Sequence, residues 1–401
     1  MRPFPPDSEW HAGWRIVAAM ATANATGISL LFYTFSMFLI PISDELELTR
    51  GEVGLVQAMI ITAAIGAPVI GRITDRVPFR TIYVVATLLL AAIEIAQARL
   101  VDSLIGLALT VGLAGLIGGG TSSILLVRPV NAHFRQNRGL ALGLVAIGVS
   151  VSTIVVPPIL QLVIASTSWR DGYLALATMA ALVGMPLVLL LLPRDLPLNR
   201  GGPIASGIGA GTGPFLRERD FWLLVAANML VAISISGSIG QLSPMIQDER
   251  LSAQTASFGL SLFAAGQFAG KLFGGWALDR FEPRRIAALM TVLPASGFLI
   301  FLTDTGMTSP ILLACAMIGM LQGAEIDIFA YFIARRFDPA QFGTVFGALH
   351  GFGWLATALG ITLFGFTYDW FGSYAPIQLG AVALLVLVAL LFQPIRLRDE
   401  S

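Results

Sequence analysis

The stretch GRITDRVPFR at residues 71–80 returns as GWALDRFEPR at residues 275–284. Both copies follow the pattern G-x-x-x-D-R-x-x-x-R, and they lie 204 residues apart. The same offset relates identical residues elsewhere: Arg15 and Arg219, Asn24 and Asn228, Asp44 and Asp248, Gly139 and Gly343. The repeated offset predicts that the chain consists of two homologous halves.

The composition around this repeat is typical of a helical membrane protein. Of the 401 residues, 56% are hydrophobic and 12% are charged, whereas soluble domains carry about 25% charged residues. Apolar runs such as AALVGMPLVLLLL at 180–192 are continuous, which favours membrane helices over the alternating strands of a transmembrane barrel. An all-α membrane protein with twelve transmembrane helices in two six-helix bundles is therefore predicted.

The predicted spans lie at about 14–40, 51–71, 80–99, 103–128, 139–165, 170–192, 221–244, 254–278, 286–303, 310–334, 343–367 and 374–393. A Pro- and Gly-rich interval at 193–220 divides them six and six. We interpret this interval as a linker. The predicted domains are an N-terminal bundle at 1–192 and a C-terminal bundle at 221–401.

Arginine is unevenly distributed between the two ends of these spans. Eighteen arginines fall on the side of the chain termini, and four fall on the other side. Because cytoplasmic loops carry the excess of Arg and Lys, both termini and the linker are predicted to be cytoplasmic. Residues 1–15 are polar and the first apolar run is too long for a signal core, so no cleavable signal is expected. The expected location is a cell membrane, namely the inner membrane of a bacterium.

Several classes of function are disfavoured by composition and motifs. The net charge is zero, which argues against a nucleic-acid partner. The chain has one cysteine, Cys315, and three histidines, so neither a metal site nor another cofactor is expected. No P-loop and no nucleophile motif such as G-x-S-x-G occurs, which disfavours an ATP-driven pump and a membrane-embedded enzyme. A monomer in the lipid bilayer is expected.

The two six-span halves, the central linker and the G-x-x-x-D-R loops resemble the major facilitator superfamily over essentially the whole chain. Four stretches are similar to those of monocarboxylate transporters: EWHAGW at 9–14, GKLFGGWALDR at 270–280, GAEIDIFAYFIARRF at 323–337 and YDWFGSY at 368–374. The resemblance implies a secondary transporter whose two bundles give alternating access to a site near the middle of the membrane.

Lys271 is the one lysine among 24 cationic residues. It lies eight residues before Asp279, about 12 Å along a helix, and is therefore expected inside the bilayer. A charged side chain there costs at least about 3 kcal/mol, which favours a functional role over snorkelling to the interface. The resemblance to monocarboxylate transporters implies that a cation at this position binds the carboxylate of the substrate.

Two carboxylates, Glu325 and Asp327, lie in the otherwise apolar tenth span. Asp327, Tyr331 and Arg335 share one stripe of the helix, whereas Glu325 lies about 160° away. A carboxylate that alternates between protonated and paired states is suited to carrying a proton. We interpret both acids as candidates for proton coupling. The alternative is a structural pairing of Asp327 with Arg335 or Arg128.

Further polar residues are candidates for contact with the substrate: Tyr33, Asn24, Asn228, Arg128, His350 and Tyr331. For the two asparagines, hydrogen bonding between helices is an equal alternative. Snorkelling is the alternative for Arg128. A hydrogen bond to a neighbouring helix is the alternative for His350.

The repeated loop supplies candidates for a cytoplasmic gate: Asp75, Arg76, Arg80, Asp279, Arg280 and Arg284. Arginine and carboxylate groups at helix ends can form charge-assisted hydrogen bonds that hold two bundles together, and the resemblance to the superfamily implies such gating. The alternative is that the arginines only determine topology.

The function predicted from sequence is proton-coupled transport of a small organic anion, a monocarboxylate, by a secondary active transporter. The competing hypothesis is a proton-coupled antiporter that exports drugs or metabolites. The membrane acids and abundant Phe favour the antiporter, whereas Lys271 would repel a cationic drug.

Overall fold

The computed structural model describes residues 8–74, 76–193, 214–303 and 306–397. Across these ranges the regular secondary structure is helical. Asp75 of the predicted gate lies outside the described residues, as does most of the predicted linker.

The helices give the twelve spans that the sequence predicts. Ten stretches of the described chain are long and apolar enough to cross a membrane, and Ala253–Leu278 and Ala375–Leu391 complete the set. The α-helices are α1 Trp10–Ala25, α2 Ile28–Thr34, α3 Ser36–Leu46, α4 Arg50–Ala58, α5 Ala63–Ile73, α6 Phe79–Leu100, α7 Leu104–Gly118, α8 Ser123–His133, α9 Arg138–Ser166, α10 Trp169–Thr178, α11 Met185–Leu191, α12 Arg219–Val231, α13 Gly237–Ile239, α14 Leu242–Asp248, α15 Ala253–Leu278, α16 Pro283–Phe301, α17 Thr308–Arg336, α18 Phe342–Phe371 and α19 Ala375–Leu391.

Several spans consist of more than one helix. The first span comprises α1 to α3, and the second passes from α4 through a 3-10 turn, Met59–Thr62, into α5. The seventh span contains a π-helical segment, Ala232–Ser236, between α12 and α13. Such interruptions release backbone groups that neighbouring helices must satisfy. One example is the amide of Ile28, which donates to Thr121 Oγ1 at 3.2 Å.

Contacts divide the chain into two compact units. The first unit contains Met1–Phe35 and Met59–Ile204. Its core includes Ile16 and Met20 of α1, Tyr83 of α6 and Leu126 of α8, all almost fully buried. Leucines that point away from the core, such as Leu100 and Leu190, are three-quarters exposed, as expected for side chains that face lipid.

The second unit contains Ser36–Ala58 and Ala205–Ser401. Residues 36–58 belong to the first half of the sequence repeat, yet they pack with the second half: α3 contacts α14 and α15, and α4 contacts α18. The packing units therefore differ from the sequence halves by this one segment.

The sequence repeat is visible in the packing of both units. A Cβ atom added to Gly66 of α5 would collide with the carbonyl oxygen of Leu116 in α7. A Cβ atom added to Gly270 of α15 would collide in the same way with Met320 in α17. Both residues of the second pair follow those of the first by 204 positions. In each unit, small residues thus allow the second and fourth spans of a half to touch through their backbones.

Candidate substrate site and gates

The eighth and tenth spans meet along a row of glycines. An added Cβ would collide with the facing backbone at Gly266 and Gly270 of α15 and at Gly319 and Gly323 of α17. At Gly323 that atom would also lie 2.9 Å from the backbone nitrogen of Lys271. The close approach of the two backbones positions Lys271 beside the part of α17 that carries the membrane acids.

Lys271 faces Asp327 across this contact. Both residues are half-buried, and the ammonium interacts electrostatically with the carboxylate. Within the described residues, neither a hydrogen bond nor an ion pair within 4 Å engages the Lys271 ammonium. Its donors are therefore available to a ligand. On the same stripe of α17 the Arg335 guanidinium lies 5.3 Å from the ring centroid of Tyr331.

Glu325 lies in different surroundings from Asp327. Its side chain is 8% exposed; Oε1 accepts from Asn228 Nδ2 at 3.2 Å and Oε2 accepts from Gln322 Nε2 at 3.4 Å. Ser236 donates to Gln322 Oε1 at 3.2 Å. In the described part of the chain no cation pairs with Glu325. One acid of the tenth span therefore faces a lysine, and the other is held by neutral amides.

Two of the candidates in the first unit, Asn24 and Arg128, join helices to one another. Asn24 of α1 donates to the carbonyl oxygen of Val145 in α9 at 3.2 Å. Asn24 and its repeat counterpart Asn228 thus each connect the first span of a half to another helix. Arg128 of α8 donates to Gly71 O of α5 at 3.1 Å. Tyr33 is half-buried beside Phe32, with ring centroids 5.4 Å apart.

His350 of α18 is half-buried and packs edge-on against Phe346, with ring centroids 4.4 Å apart. It lies one turn from Gly353, where an added Cβ would be 2.6 Å from Asn228 Oδ1. The eleventh span therefore approaches the Asn228 and Glu325 pair at this level.

The arginines of the repeated loop have separate environments. Arg80 donates to Leu192 O, and Arg284 donates to Ile395 O at 2.9 Å. Arg280 lies 5.1 Å from the ring centroid of Trp276, while Arg76 and Asp279 are exposed. Arg80 and Arg284, the last arginines of the two copies, therefore each connect the start of the third span of their half to the backbone just after the sixth span of that half.

Charged contacts also join the first span of each half to the end of the fourth. Glu9 accepts hydrogen bonds from the backbone amides of Arg135, Gln136 and Asn137 at 2.9 to 3.2 Å. These donors favour the charged carboxylate and lower the pKa of Glu9 to about 2. In the other half, Arg336 pairs with Glu218 at 2.7 Å and with Asp220.

Sequence reasoning missed a cluster in the second unit, at the end where α4 and α19 begin. Arg50 donates to both carboxylate oxygens of Asp248, at 2.8 and 3.0 Å, and to Tyr374 Oη at 3.2 Å. Its guanidinium lies 3.6 Å from the ring centroid of Tyr368. Asp369 accepts from the amides of Arg50 and Gly51. We call these residues, together with Gln241, the Arg50 cluster.

Two sequence signals pointed to this cluster. Arg50 is one of only four arginines predicted on its side of the membrane, and YDWFGSY at 368–374 is one of the stretches that resemble monocarboxylate transporters. The signals were not connected, because residues 50, 248 and 369 are far apart in the chain and only folding places them together.

The profile of the Major Facilitator Superfamily matches residues 21–260 and 224–401. The chain belongs to this superfamily. The resemblance drawn from the repeated loops is thereby confirmed, and the chain is classed with membrane transporters.

Within the superfamily the chain is similar to monocarboxylate transporters. It is 25% identical to monocarboxylate transporter 13 of Rattus norvegicus over 391 residues, covering 96% of this chain and 89% of the relative. It is 25% identical to monocarboxylate transporter 11 of Mus musculus over 376 residues, covering 90% and 78%.

Solved structures of other superfamily members share the fold. The nucleoside transporter NupG matches with a TM-score of 0.80 at 13% identity, covering 96% of this chain and 98% of that one. A D-xylose-proton symporter matches with a TM-score of 0.74 at 13% identity, covering 95% and 97%.

Proposed function

We propose that this superfamily member is a secondary active transporter that moves a small organic anion, a monocarboxylate, by alternating access and with proton coupling. The observation that carries the proposal is the ammonium of Lys271. It lies within a membrane helix, faces Asp327 and has donors that the described residues leave unused. Because a cation within the bilayer is costly, its place there favours a ligand of opposite charge.

The names of the relatives support the same chemical class. Two of them are monocarboxylate transporters that align with most of this chain. A monocarboxylate offers two oxygens to an ammonium donor and would replace the electrostatic partner that Asp327 now provides.

Proton coupling follows from the competition for Lys271. When a bound anion pairs with the Lys271 ammonium, Asp327 loses its nearby cation. A proton then neutralises the Asp327 carboxylate. Anion and proton then move together as a symport. Glu325, held by neutral amides, is the second candidate for a proton carrier.

Other predictions from the sequence are retained in this proposal. Tyr33, Asn24, Asn228, Arg128, His350 and Tyr331 remain candidates for contact with the substrate. Asp75, Arg76, Arg80, Asp279, Arg280 and Arg284 remain candidates for a cytoplasmic gate. Both termini are proposed to be cytoplasmic, and the working unit is proposed to be a monomer.

Transport by the purified protein in proteoliposomes tests this function. Uptake of radiolabelled lactate and pyruvate is measured under an inward proton gradient, an equal sodium gradient and no gradient. We expect uptake to be fastest when the outside is acidic. Lys271→Gln should abolish it, and Lys271→Arg should retain part of it because the charge is kept.

Arg285→Gln is a matched control, since the Arg285 side chain is 86% exposed and lies in the first turn of α16. Retention of anion uptake by Lys271→Gln would contradict the role of this lysine. Proton-driven export of lipophilic cations, with no uptake of carboxylates by the wild type, would favour the antiporter instead.

A further inference from the structure

We propose that Glu94 is a proton-binding site, in which the protonated carboxylic acid pairs with the carboxamide of Gln97 beside Tyr173 of the sixth span. The site lies in the first unit, whereas Lys271 and Asp327 belong to the second. The inference goes beyond the transport proposed above and depends on no substrate.

Three polar side chains are buried where α6 packs against α10. Glu94 is 3% exposed, and Gln97 and Tyr173 are fully buried. The Glu94 carboxyl interacts electrostatically with Tyr173. Glu94 and Gln97 are three residues apart on α6, a spacing that places two side chains on one face with Cβ atoms about 5–6 Å apart. The carboxyl and carboxamide groups are therefore within reach of each other.

The polar atoms that α6 contributes have no hydrogen-bond partner among the described residues. Glu94 Oε2 and both amide atoms of Gln97 are buried and unpartnered there. A buried polar atom without a hydrogen bond is costly, and such atoms are rare in folded proteins. These atoms therefore call for a pairing with each other or with a ligand.

The charged residues of α10 are engaged with other groups. Arg170 donates to the carbonyl oxygens of Ala98 and Val101, at 3.3 and 2.9 Å, at the end of α6. Asp171 accepts from Ser168 Oγ at 3.1 Å in the first turn of α10. Neither residue forms an ion pair with the buried carboxyl.

Other ionisable groups are no better placed to balance a charge on Glu94. On α6 itself, Arg99 is exposed and Tyr83 lies three turns away. α7, α11 and the segments Gly119–Thr121 and Met179–Gly184 also pack against α6, and they contain no ionisable residue. Within the described residues no salt bridge involves Glu94. Burial without a counter-ion favours the neutral form of a carboxyl group.

A proton satisfies the unpartnered atoms better than a metal ion does. A protonated carboxyl has one O–H donor and an oxygen that accepts, and a carboxamide offers the complementary acceptor and donor. The two groups can therefore join through two hydrogen bonds, whereas an ionised Glu94 has no donor for Gln97 Oε1. Metal ions bound by oxygen need about six ligands, more than these side chains offer.

Infrared spectra of the purified full chain at neutral pH test for the proton directly. The difference between wild type and Glu94→Gln should contain the C=O stretching band of a protonated carboxylic acid. Loss of carboxylate bands instead would overturn the proposal. Gln97→Met should shift the band of the acid, because its hydrogen-bond partner is removed. An unshifted band would overturn the pairing with Gln97.

Asp102→Asn is the matched control for the spectra. Asp102 is exposed just beyond the end of α6. Its replacement should remove carboxylate bands and leave the band of the protonated acid unchanged.

Unfolding in mixed detergent micelles provides a second test. If the folded wild type holds the proton of Glu94 and the unfolded chain releases it, stability must fall as the pH rises. Glu94→Gln has no such proton, and the comparison cancels the contributions of other acids. Relative to this variant, the unfolding equilibrium constant of the wild type should rise about tenfold per pH unit between about pH 5 and 7.

Asp102→Asn should follow the pH dependence of the wild type. An identical pH dependence of wild type and Glu94→Gln would overturn the proposal. Failure of Glu94→Gln to fold would overturn it as well, because a site for a neutral acid should accept a neutral amide of the same shape.

Discussion

Arg80 and Arg284 occupy equivalent positions 204 residues apart, and each donates to a backbone carbonyl just beyond the last helix of its own half. This geometry gives the final arginine of the repeated loop a structural role in both halves. Its role in a cytoplasmic gate remains a prediction.

Arg284→Ala should lower the stability of the protein by about 1–3 kcal/mol, because it leaves the carbonyl of Ile395 without its charged donor. Unfolding in mixed detergent micelles measures the change. Arg285→Ala, one residue away but largely exposed, should have an effect close to zero. An equal loss in both variants would contradict the specific role of Arg284.

Neutralising the two acids of the tenth span should have different effects. Asp327→Asn removes the carboxylate that faces Lys271 and should weaken the dependence of anion uptake on the proton gradient. Glu325→Gln keeps an oxygen that can accept from Asn228 and should alter uptake less if Asp327 is the main proton carrier. Initial uptake rates at several external pH values measure both effects. A larger loss of the pH dependence of uptake in Glu325→Gln than in Asp327→Asn would identify Glu325 as the main proton carrier.

Gly270→Leu should lower the free energy of unfolding by about 1–3 kcal/mol. The added side chain collides with the backbone at Met320, where the eighth and tenth spans meet. It should also reduce transport by displacing Lys271 from Asp327. Gly275→Ala is the control, because no atom lies within 4 Å of an added Cβ there. Unchanged unfolding of Gly270→Leu would refute the close approach.

Lowering the pH should release Glu9 from the loop after the fourth span. Its pKa is depressed from 4.5 to about 2, so its contribution to stability is present above pH 4.5 and is lost as the pH falls towards 2. The difference in unfolding midpoint between wild type and Glu9→Gln should therefore shrink across that interval. A difference that stays constant with pH would contradict the assignment.

Much of the architecture was predictable from local patterns. Continuous apolar runs indicated the spans, and the repeated loops at 71–80 and 275–284 indicated two homologous halves. Lys271, Glu325 and Asp327 were recognised from sequence, because an ionisable residue in an apolar span stands out. A pairing of Lys271 with one of the two acids of the tenth span could be suggested from sequence. Which acid it approaches was not predictable, since that depends on how the glycines at 266, 270 and 323 bring α15 and α17 together.

The Arg50 cluster shows most clearly what the tertiary structure decided and the sequence did not. Hydropathy and arginine placement, which depend on residues near one another in the chain, determined that this is a membrane protein of two six-span halves. Tertiary structure alone decided that residues 36–58 pack with the opposite half of the sequence and that Arg50 meets Asp248 and Tyr368. Such contacts depend on the three-dimensional path of the spans, because an ion pair requires its groups within a few ångströms whatever their separation in sequence.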